Sequence, residues 1–283
     1  MESTDSTDSM GSMDNMENID LHIHSTYSDG VLEPREIVDR WKEEGHTKIA
    51  ITDHDGIEGS LIAYQYAKGI DGIELIPGAE FDSSNELGKK LHILAYDFDY
   101  QSEILNKTVE TLRSWREERN GNMLETLRKA GYDLSPEDVA WGTNGKFLGK
   151  PHFADALIRK GYAKDIADVF DRIFSDECNM DQFEKRTMHS RDIVEMIHSA
   201  GGKAVLAHPF EQLKKGESRE NFRPRLVELL DCFRGYGIDG IECRHPSAKP
   251  DDEAFLIEYA DKHGLLKTSG SDFHSDDAKR TYL

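Results

Sequence analysis

Ile19-Asp20-Leu21-His22-Ile23-His24 leads into Ser25-Thr26-Tyr27-Ser28-Asp29-Gly30, and this stretch decides the fold. Polar and apolar residues alternate with a period of two, the spacing of a strand, so His22 and His24 share one face at its end. Ser28-Asp29-Gly30 then has the composition of a turn. The same junction of apolar run and polar cluster recurs along the chain. Lys48–Thr52 delivers Asp53-His54, and Ile73–Pro77 leads to Gly78-Ala79-Glu80-Phe81. Ala204–Ala207 leads to His208-Pro209, and Leu265–Ser269 to Asp272-Phe273-His274.

Helical stretches separate most of these runs. Glu33-Pro34-Arg35-Glu36 opens a helix that continues through Trp41 and stops at Gly45. Others are expected from about Ser60 to Lys68, Arg191 to Ser199, Leu226 to Gly235 and Asp251 to His263. With Ile238–Cys243 this makes about seven strands alternating with helices. The chain is therefore expected to be an α/β protein, a (β/α) barrel whose strand ends present side chains to one pocket.

Composition bounds the function. The chain has 283 residues, 37% of them hydrophobic, and a formal net charge of −20. It contains no apolar run of the ~20 residues needed to span a bilayer. The N-terminus has no basic region followed by an apolar stretch, so a secretory signal is not expected. Cys178, Cys232 and Cys243 lack the spacing of a disulfide framework and are read as packing residues of a cytoplasmic protein. The acidic balance disfavours long duplex nucleic acid while leaving room for a small anionic substrate. Residues 1–18 are polar and aperiodic, and are expected to be a disordered leader outside the fold.

Two segments break the alternation. Asn85, Glu86 and Gly88 mark a hairpin whose second arm is Lys90 to Phe98. A three-residue loop from Asn85 to Leu87 would set Ser84 opposite Gly88, Asp82 opposite Lys90, and Glu80 opposite His92. One metal ion could then be shared by Glu80 and His92. Residues 103–190 carry a long helix ended by Gly131, a helix start at Ser135-Pro136-Glu137, and shorter helices near Pro151–Lys160 and Asp165–Phe174. This span is expected to be a helical insertion that caps the barrel mouth, leaving 19–102 and 191–283 as the barrel domain.

His22, His24, Asp29, His54, Glu80, His92, His208, Asp272 and His274 are nine potential metal ligands at successive strand ends. Taken singly, His208 reads as a packed polar residue and Asp29 as a turn residue. Together they form a nitrogen and oxygen set that suits manganese, iron or zinc. Two or three such ions allow attack on phosphate esters at neutral pH, with a hydroxide bridging two ions as nucleophile and His208 and Asp272 among the catalytic groups.

The ordered motifs His-x-His, Ser-Asp-Gly, Thr-Asp-His, Gly-Ala-Glu, Leu-His, Ala-His-Pro and Gly-Ser-Asp-Phe-His resemble the PHP (polymerase and histidinol phosphatase) family, over about residues 19 to 276. Within it, the chain is most similar to bacterial phosphoesterases with a helical insertion that act on nucleotides or short RNA. The resemblance implies a distorted seven-stranded barrel and a centre of two or three metals on its C-terminal face. It implies that His22, His24, Glu80 and Asp272 hold one metal, that Glu80 bridges to a second held by His92 and His208, and that Asp29, His54 and His274 hold a third.

Substrate contacts are sought at Lys150 and His152, at a helix start where free N–H groups favour anions, and at His245 near the same mouth. Relatives often carry Arg-Pro-His where this chain has Lys150-Pro151-His152, and a further histidine near Ala248. Arg113, Arg116 and Arg119 alternate with Glu117 and Glu118 and are read as a salt-bridged solvated face. Asp55 is read as a helix cap or a partner of the ligands, and His46, His189, His198 and His263 as solvated. The expected reaction is metal-dependent phosphatase action on nucleotides such as nucleoside 3',5'-bisphosphates. The alternatives are 5'-to-3' trimming of short RNA, amide hydrolysis or deamination by an amidohydrolase-type barrel, and a non-catalytic module.

Overall fold

The computed structural model describes residues 18–141 and 147–276. The expected leader, apart from Asn18, and the last seven residues of the expected barrel domain lie outside the described residues. β1 (Ile19–Ile23), β2 (Lys48–Ile51) and β3 (Glu74–Leu75) pair in parallel in that order. They are joined by α1 (Pro34–Glu43) and α2 (Glu58–Ala67). Pro34 fills the first turn of α1, and the Glu36 carboxylate accepts the Glu33 backbone N–H at 2.9 Å. Ile37, Val38 and Trp41 recur at helical spacing and pack against Ile23, Ile49 and Ile51.

The second sheet contains β4 (Gly78–Asn85), β5 (Gly88–Tyr96), β6 (Met188–His189), β7 (Lys203–Leu206), β8 (Gly240–Arg244) and β9 (Leu266–Ser269). Its order is β6-β4-β5-β7-β8-β9, with β5 antiparallel to β4 and β7 and the remaining pairs parallel. The two sheets touch through two isolated parallel bridges, Ile23 with Phe273 and His54 with Glu80. The fold is mixed α/β; the described residues form nine strands, against about seven expected, and their ladders do not run continuously into a closed barrel. The two-residue β6 is too short to leave a periodic signal in the sequence.

Leu21, Ala50, Ile76, Leu94, Tyr96, Val205 and Ala207 form the core between the sheets. Outside the second sheet pack α7 (Ser190–Ser199), α8 (Arg219–Tyr236) and α9 (Pro250–His263), whose buried faces contribute Ile193, Leu226 and Leu256. α8 begins seven residues earlier than expected. Ser218 caps it by accepting the Asn221 N–H at 3.2 Å, and the helix continues through Pro224.

α3 (Glu103–Lys129) belongs to two cores. Its first half buries Leu105, Val109 and Leu112 with the second sheet, and its second half places Met123 and Leu127 in a separate cluster. That cluster is completed by α4 (Pro136–Ala140), α5 (Lys150–Arg159), α6 (Ile166–Asp168) and the π-helical Val169–Glu177. The single helix expected over Asp165–Phe174 is thus α6 continued as a wider π-helical coil with i→i+5 hydrogen bonds. Met188 and His189 pair with Ser83 and Ser84, so the last residues of the span read as an insertion belong to the sheet. Among the described residues, no helix is long and apolar enough to cross a membrane.

Tyr96 joins the two sheets. Its fully buried hydroxyl donates to the Leu21 carbonyl at 2.7 Å, where the β1–β2 ladder is irregular between Asp20 and Ile23. Tyr96→Phe strands that carbonyl in an apolar core, and a buried group left unsatisfied costs about 1–3 kcal/mol. The expected result is a lower urea midpoint at unchanged slope; an unchanged midpoint would show that the hydroxyl contributes nothing to joining the sheets.

Candidate metal centre

The end of β1 places His22 and His24 on one face, both fully buried, while Ile23 between them enters the apolar core. Their Nε2 atoms are buried without a hydrogen-bond partner and point at two carboxylates. His22 Nε2 lies 3.5 Å from Glu80 Oε1 and 3.3 Å from Asp272 Oδ1, and His24 Nε2 lies 3.4 Å from Glu80 Oε2 and 3.1 Å from Asp272 Oδ1. Ligands about 2.0–2.2 Å from a tetrahedral ion are separated by about 3.4 Å, so these four side chains fit one divalent metal. Burial opposes the charge on Glu80 and Asp272, yet the surrounding imidazoles hold both well below the usual carboxylate range.

Glu80 also faces a second group. Its Oε1 is 3.0 Å from His92 Nδ1 and 2.9 Å from His208 Nε2, and those two nitrogens are 3.2 Å apart. The hairpin register that brings His92 here differs from the expected one. The loop is the two residues Glu86 and Leu87, and a bulge between Ser83 and Ser84 places Lys90 at φ 66°. Asp82 therefore faces His92 and Glu80 faces Leu94. Each change shifts the register by one residue, which alone would turn His92 to the other side of the sheet. The two together restore its face, and His92 reaches Glu80 diagonally. Its other nitrogen, Nε2, contacts Asp82 Oδ1 at 2.8 Å.

A third group gathers Asp29, His54 and His274 beside His24. Asp29 Oδ1 is 3.3 Å from His274 Nε2 and 3.5 Å from His24 Nδ1, and Asp29 Oδ2 is 3.7 Å from His54 Nε2. His54 Nδ1 turns instead to Glu80 Oε2 at 3.0 Å, so this residue stands between the groups. Burial pushes His54 down to about 3, which keeps its imidazole neutral. Burial acts the same way on His274, but the Asp29 carboxylate overrides it and raises that imidazole to about 9. All nine side chains expected as ligands are thus brought together. Glu211, exposed on the turn after His208, forms a further group with His245 and Asp272.

Sequence reasoning missed the acids that orient these ligands. Glu242 on β8 contacts His22 Nδ1 at 2.9 Å and accepts the His208 backbone N–H at 2.7 Å. With Nδ1 so engaged, His22 presents Nε2 to the centre. Asp53 accepts from Ser25 Oγ and Ser28 Oγ at 2.7 and 2.6 Å, fixing the turn that carries Asp29. Asp20 accepts from Trp41 Nε1 at 2.7 Å and Ser271 Oγ at 2.6 Å, fixing the turn that carries Asp272. Their signal was an acid within an apolar run, as in Gly240-Ile241-Glu242-Cys243. Gly270 is needed here, because a Cβ would lie 2.2 Å from that of His22. The backbone is held in strained positive φ at Asp55 (49°), His208 (23°) and Asp272 (51°).

The centre opens into a cavity of about 670 Å³ lined by Asp29, His54 and His92 together with Arg116, Arg119 and Lys150. His245 stands at the cluster itself, with Nε2 3.3 Å from Asp272 Oδ2 and Nδ1 2.7 Å from Ser247 Oγ. Lys150 Nζ is 3.1 Å from Asp181 Oδ1. His152 Nδ1 accepts the Gly149 N–H at 3.0 Å, and burial lowers its pKa. The expectation of a solvated arginine face fails. Arg116 is buried, paired with buried Asp55 beneath the Phe147 ring, and Arg119 lines the cavity. Arg113, paired with Glu58, alone among the three stays outside it. Asp55 is a partner, as expected, also accepting the Asp82 N–H at 3.0 Å. Of the histidines expected to be solvated, His198 is exposed and contacts Asp239 at 2.8 Å, while His46, His189 and His263 are half-buried. Cys178 and Cys243 are buried packing residues.

The chain is 34% identical over 260 residues to a 3',5'-nucleoside bisphosphate phosphatase of Chromobacterium violaceum, covering 91% of this chain and 87% of the relative. It is 33% identical over 259 residues to a 5'-3' exoribonuclease of Haemophilus influenzae, covering 90% and 89%. The crystal structure of a Bifidobacterium adolescentis protein classed as a metal-dependent phosphoesterase superposes with a TM-score of 0.74 at 28% identity, covering 91% of this chain and 87% of that one. The PHP domain model matches residues 20–244. The chain belongs to the PHP domain family and is a metal-dependent phosphoesterase.

Proposed function

We propose that this enzyme is a phosphatase of nucleotides, with nucleoside 3',5'-bisphosphates or mononucleotides as its substrates. The observation that carries the reading is the Glu80 carboxylate, whose two oxygens face His22, His92 and His208 on one side and His24 and His54 on the other, beside a cavity lined by His54 and His92 and by the cations Arg116, Arg119 and Lys150. In this reading His22, His24, Glu80 and Asp272 hold one divalent ion, and Glu80, His92 and His208 a second. Asp29, His54 and His274 hold a third, and the two sheets act as one distorted barrel of a cytoplasmic enzyme. Manganese, iron or zinc suits the donor set. Bound ions supply Lewis acidity at phosphorus and make water a usable nucleophile at neutral pH.

The protein's own part is positioning. Glu242 engages one nitrogen of His22, and Asp82 does the same for His92, so that each ring presents its other nitrogen inward. His245 beside Asp272 is placed to meet the leaving side of the ester, and Lys150 and His152 on α5 to meet the rest of the substrate. The helical span 103–190 serves as the substrate cap. Trimming of short RNA from its 5' end is the second reading, supported by the relative in Haemophilus influenzae. Phosphate release from a nucleoside 3',5'-bisphosphate, compared with cleavage of a short oligonucleotide by chelated protein reloaded with each metal, decides between them. Faster turnover of the oligonucleotide by every metal form would replace the phosphatase reading.

Glu80→Gln keeps size and removes the one charge that serves two ions. Metal stoichiometry and phosphate release should both collapse while the far-ultraviolet spectrum is kept. Full metal content in this variant would refute the bridging role. Glu242→Gln should act more mildly, weakening metal affinity by roughly 10–100-fold, the usual effect of losing a carboxylate behind a ligating histidine. Calorimetric titration of metal into the chelated variant checks this, and an unchanged affinity would remove Glu242 from the centre.

A further inference from the structure

The cations around the cavity are not equivalent. Lys150 is matched by Asp181, Lys185 by Asp82 and Asp55, and Arg116 by Asp55, with the Arg116 guanidinium carbon 4.1 Å from the Phe147 ring centre. Arg119 lies three residues further along α3, on the same helix face and about 4.5 Å along its axis. It lines the cavity half-buried, its Nε is buried with no hydrogen-bond partner, and no carboxylate is paired with it among the described residues. The neighbouring acid that could have quenched it is used elsewhere, since Glu118 pairs with Arg186 at 2.9 Å. An unmatched, partly desolvated guanidinium is an unfavourable arrangement for a protein to keep unless an anion completes it.

We propose that Arg119 receives a second anionic group of the substrate, set apart from the ester phosphate at the His54 and His92 end, and so selects phosphate esters that carry two anions. The proposal rests on the phosphoesterase reading and names the residue that sets its substrate class. A planar guanidinium offers two parallel donors to one phosphate, which a lysine does not. Burial and the like charge of Arg116 both act against the Arg119 cation, and an arriving phosphate relieves the second directly. Ser84 and Thr187 also line the cavity, and the Thr187 hydroxyl donates to Ser84 Oγ at 2.9 Å, which leaves the Ser84 hydroxyl as a neutral donor. Arg116, held by Asp55 and Phe147, keeps the helix face in place and is not itself free to follow the ligand.

The test compares Arg119→Ala, Arg119→Lys and Arg113→Ala in the manganese-loaded enzyme. The substrates are a nucleoside 3',5'-bisphosphate, the corresponding monophosphate and p-nitrophenyl phosphate. Loss of a charge-assisted contact should lower kcat/KM for the bisphosphate by roughly 10–100-fold, mostly through KM, and leave p-nitrophenyl phosphate nearly unchanged. Arg119→Lys should recover part of the loss, and Arg113→Ala should match the wild type on all three. Calorimetric binding of the bisphosphate to chelated protein gives a readout free of turnover, and Arg119→Ala should weaken it. Equal losses on all substrates, or unaltered bisphosphate binding, would overturn the proposal. A wild type that hydrolyses none of the three would refute the phosphoesterase reading instead, while the binding measurement would still decide the role of Arg119.

Discussion

The rest of the site is arranged around one buried carboxylate. Glu80 is almost wholly excluded from solvent, and an ionised acid in such a place is costly unless it is matched on every side. Five imidazoles approach its two oxygens within 2.9–3.5 Å, and they come from β1, the end of β2, β5 and the end of β7. No single element could supply them. The strand order is thus tied to the electrostatics: the parallel bridge between His54 and Glu80 joins the sheets at the point where charge must be compensated. The same interaction makes Glu80 a connector, because its oxygens are shared by neighbouring sets of nitrogens that do not contact one another in sequence.

A further layer of acids keeps these nitrogens aimed. Asp20, Asp53, Asp82 and Glu242 are all buried, and each accepts from a ligand or from the turn that carries one. The chain thus concentrates negative charge behind and within the centre, in line with its net charge of −20. Imidazoles alone cannot neutralise that interior while staying neutral enough to ligate, and divalent cations complete the balance. The positive φ values at Asp55, His208 and Asp272 fall in the same shell. Backbone strain of about 1–3 kcal/mol per residue persists only where its surroundings fix it, and here they fix the direction of a ligand or of a ligand's partner.

The side chains gathered at the centre were legible in the sequence because all but His92 sit where an alternating or apolar run meets a turn, and a strand end leaves that signature whatever packs around it. The hairpin was legible in its existence and not in its register. Nothing in Lys89-Lys90 announces a bulge, since Lys90 takes a left-handed conformation without being glycine or asparagine. Two one-residue errors compensated, which is why the side of the sheet was right and the facing pair was wrong. Glu242 and Asp20 were passed over because an acid flanked by apolar residues looks the same whether it orients a ligand or merely ends a strand, and Asp53 because the histidine beside it carried the signal. Arg116 and Arg119 were misjudged for the opposite reason. Their alternation with Glu117 and Glu118 is that of a solvated helix, and only the packing of Phe147 and Asp55 against the helix reveals which side is enclosed.

The metal centre and the cavity wall therefore carry different parts of the chemistry. Relatives with similar motifs are named for a bisphosphate phosphatase and for an exoribonuclease, so the shared motifs do not by themselves set the substrate. What distinguishes substrates must lie where the strand ends no longer dictate the residue, on α3, on α5 and in the segment leading to β6. There this chain places Arg116 and Lys185 against Asp55 and Asp82, so that the wall is fastened to a partner of His92. The helical span touches the centre through this charged joint and through Phe147, whose ring lies 6.1 Å from that of His54. The side chains that form the wall thus also pair with the partner of His92 and stand beside His54.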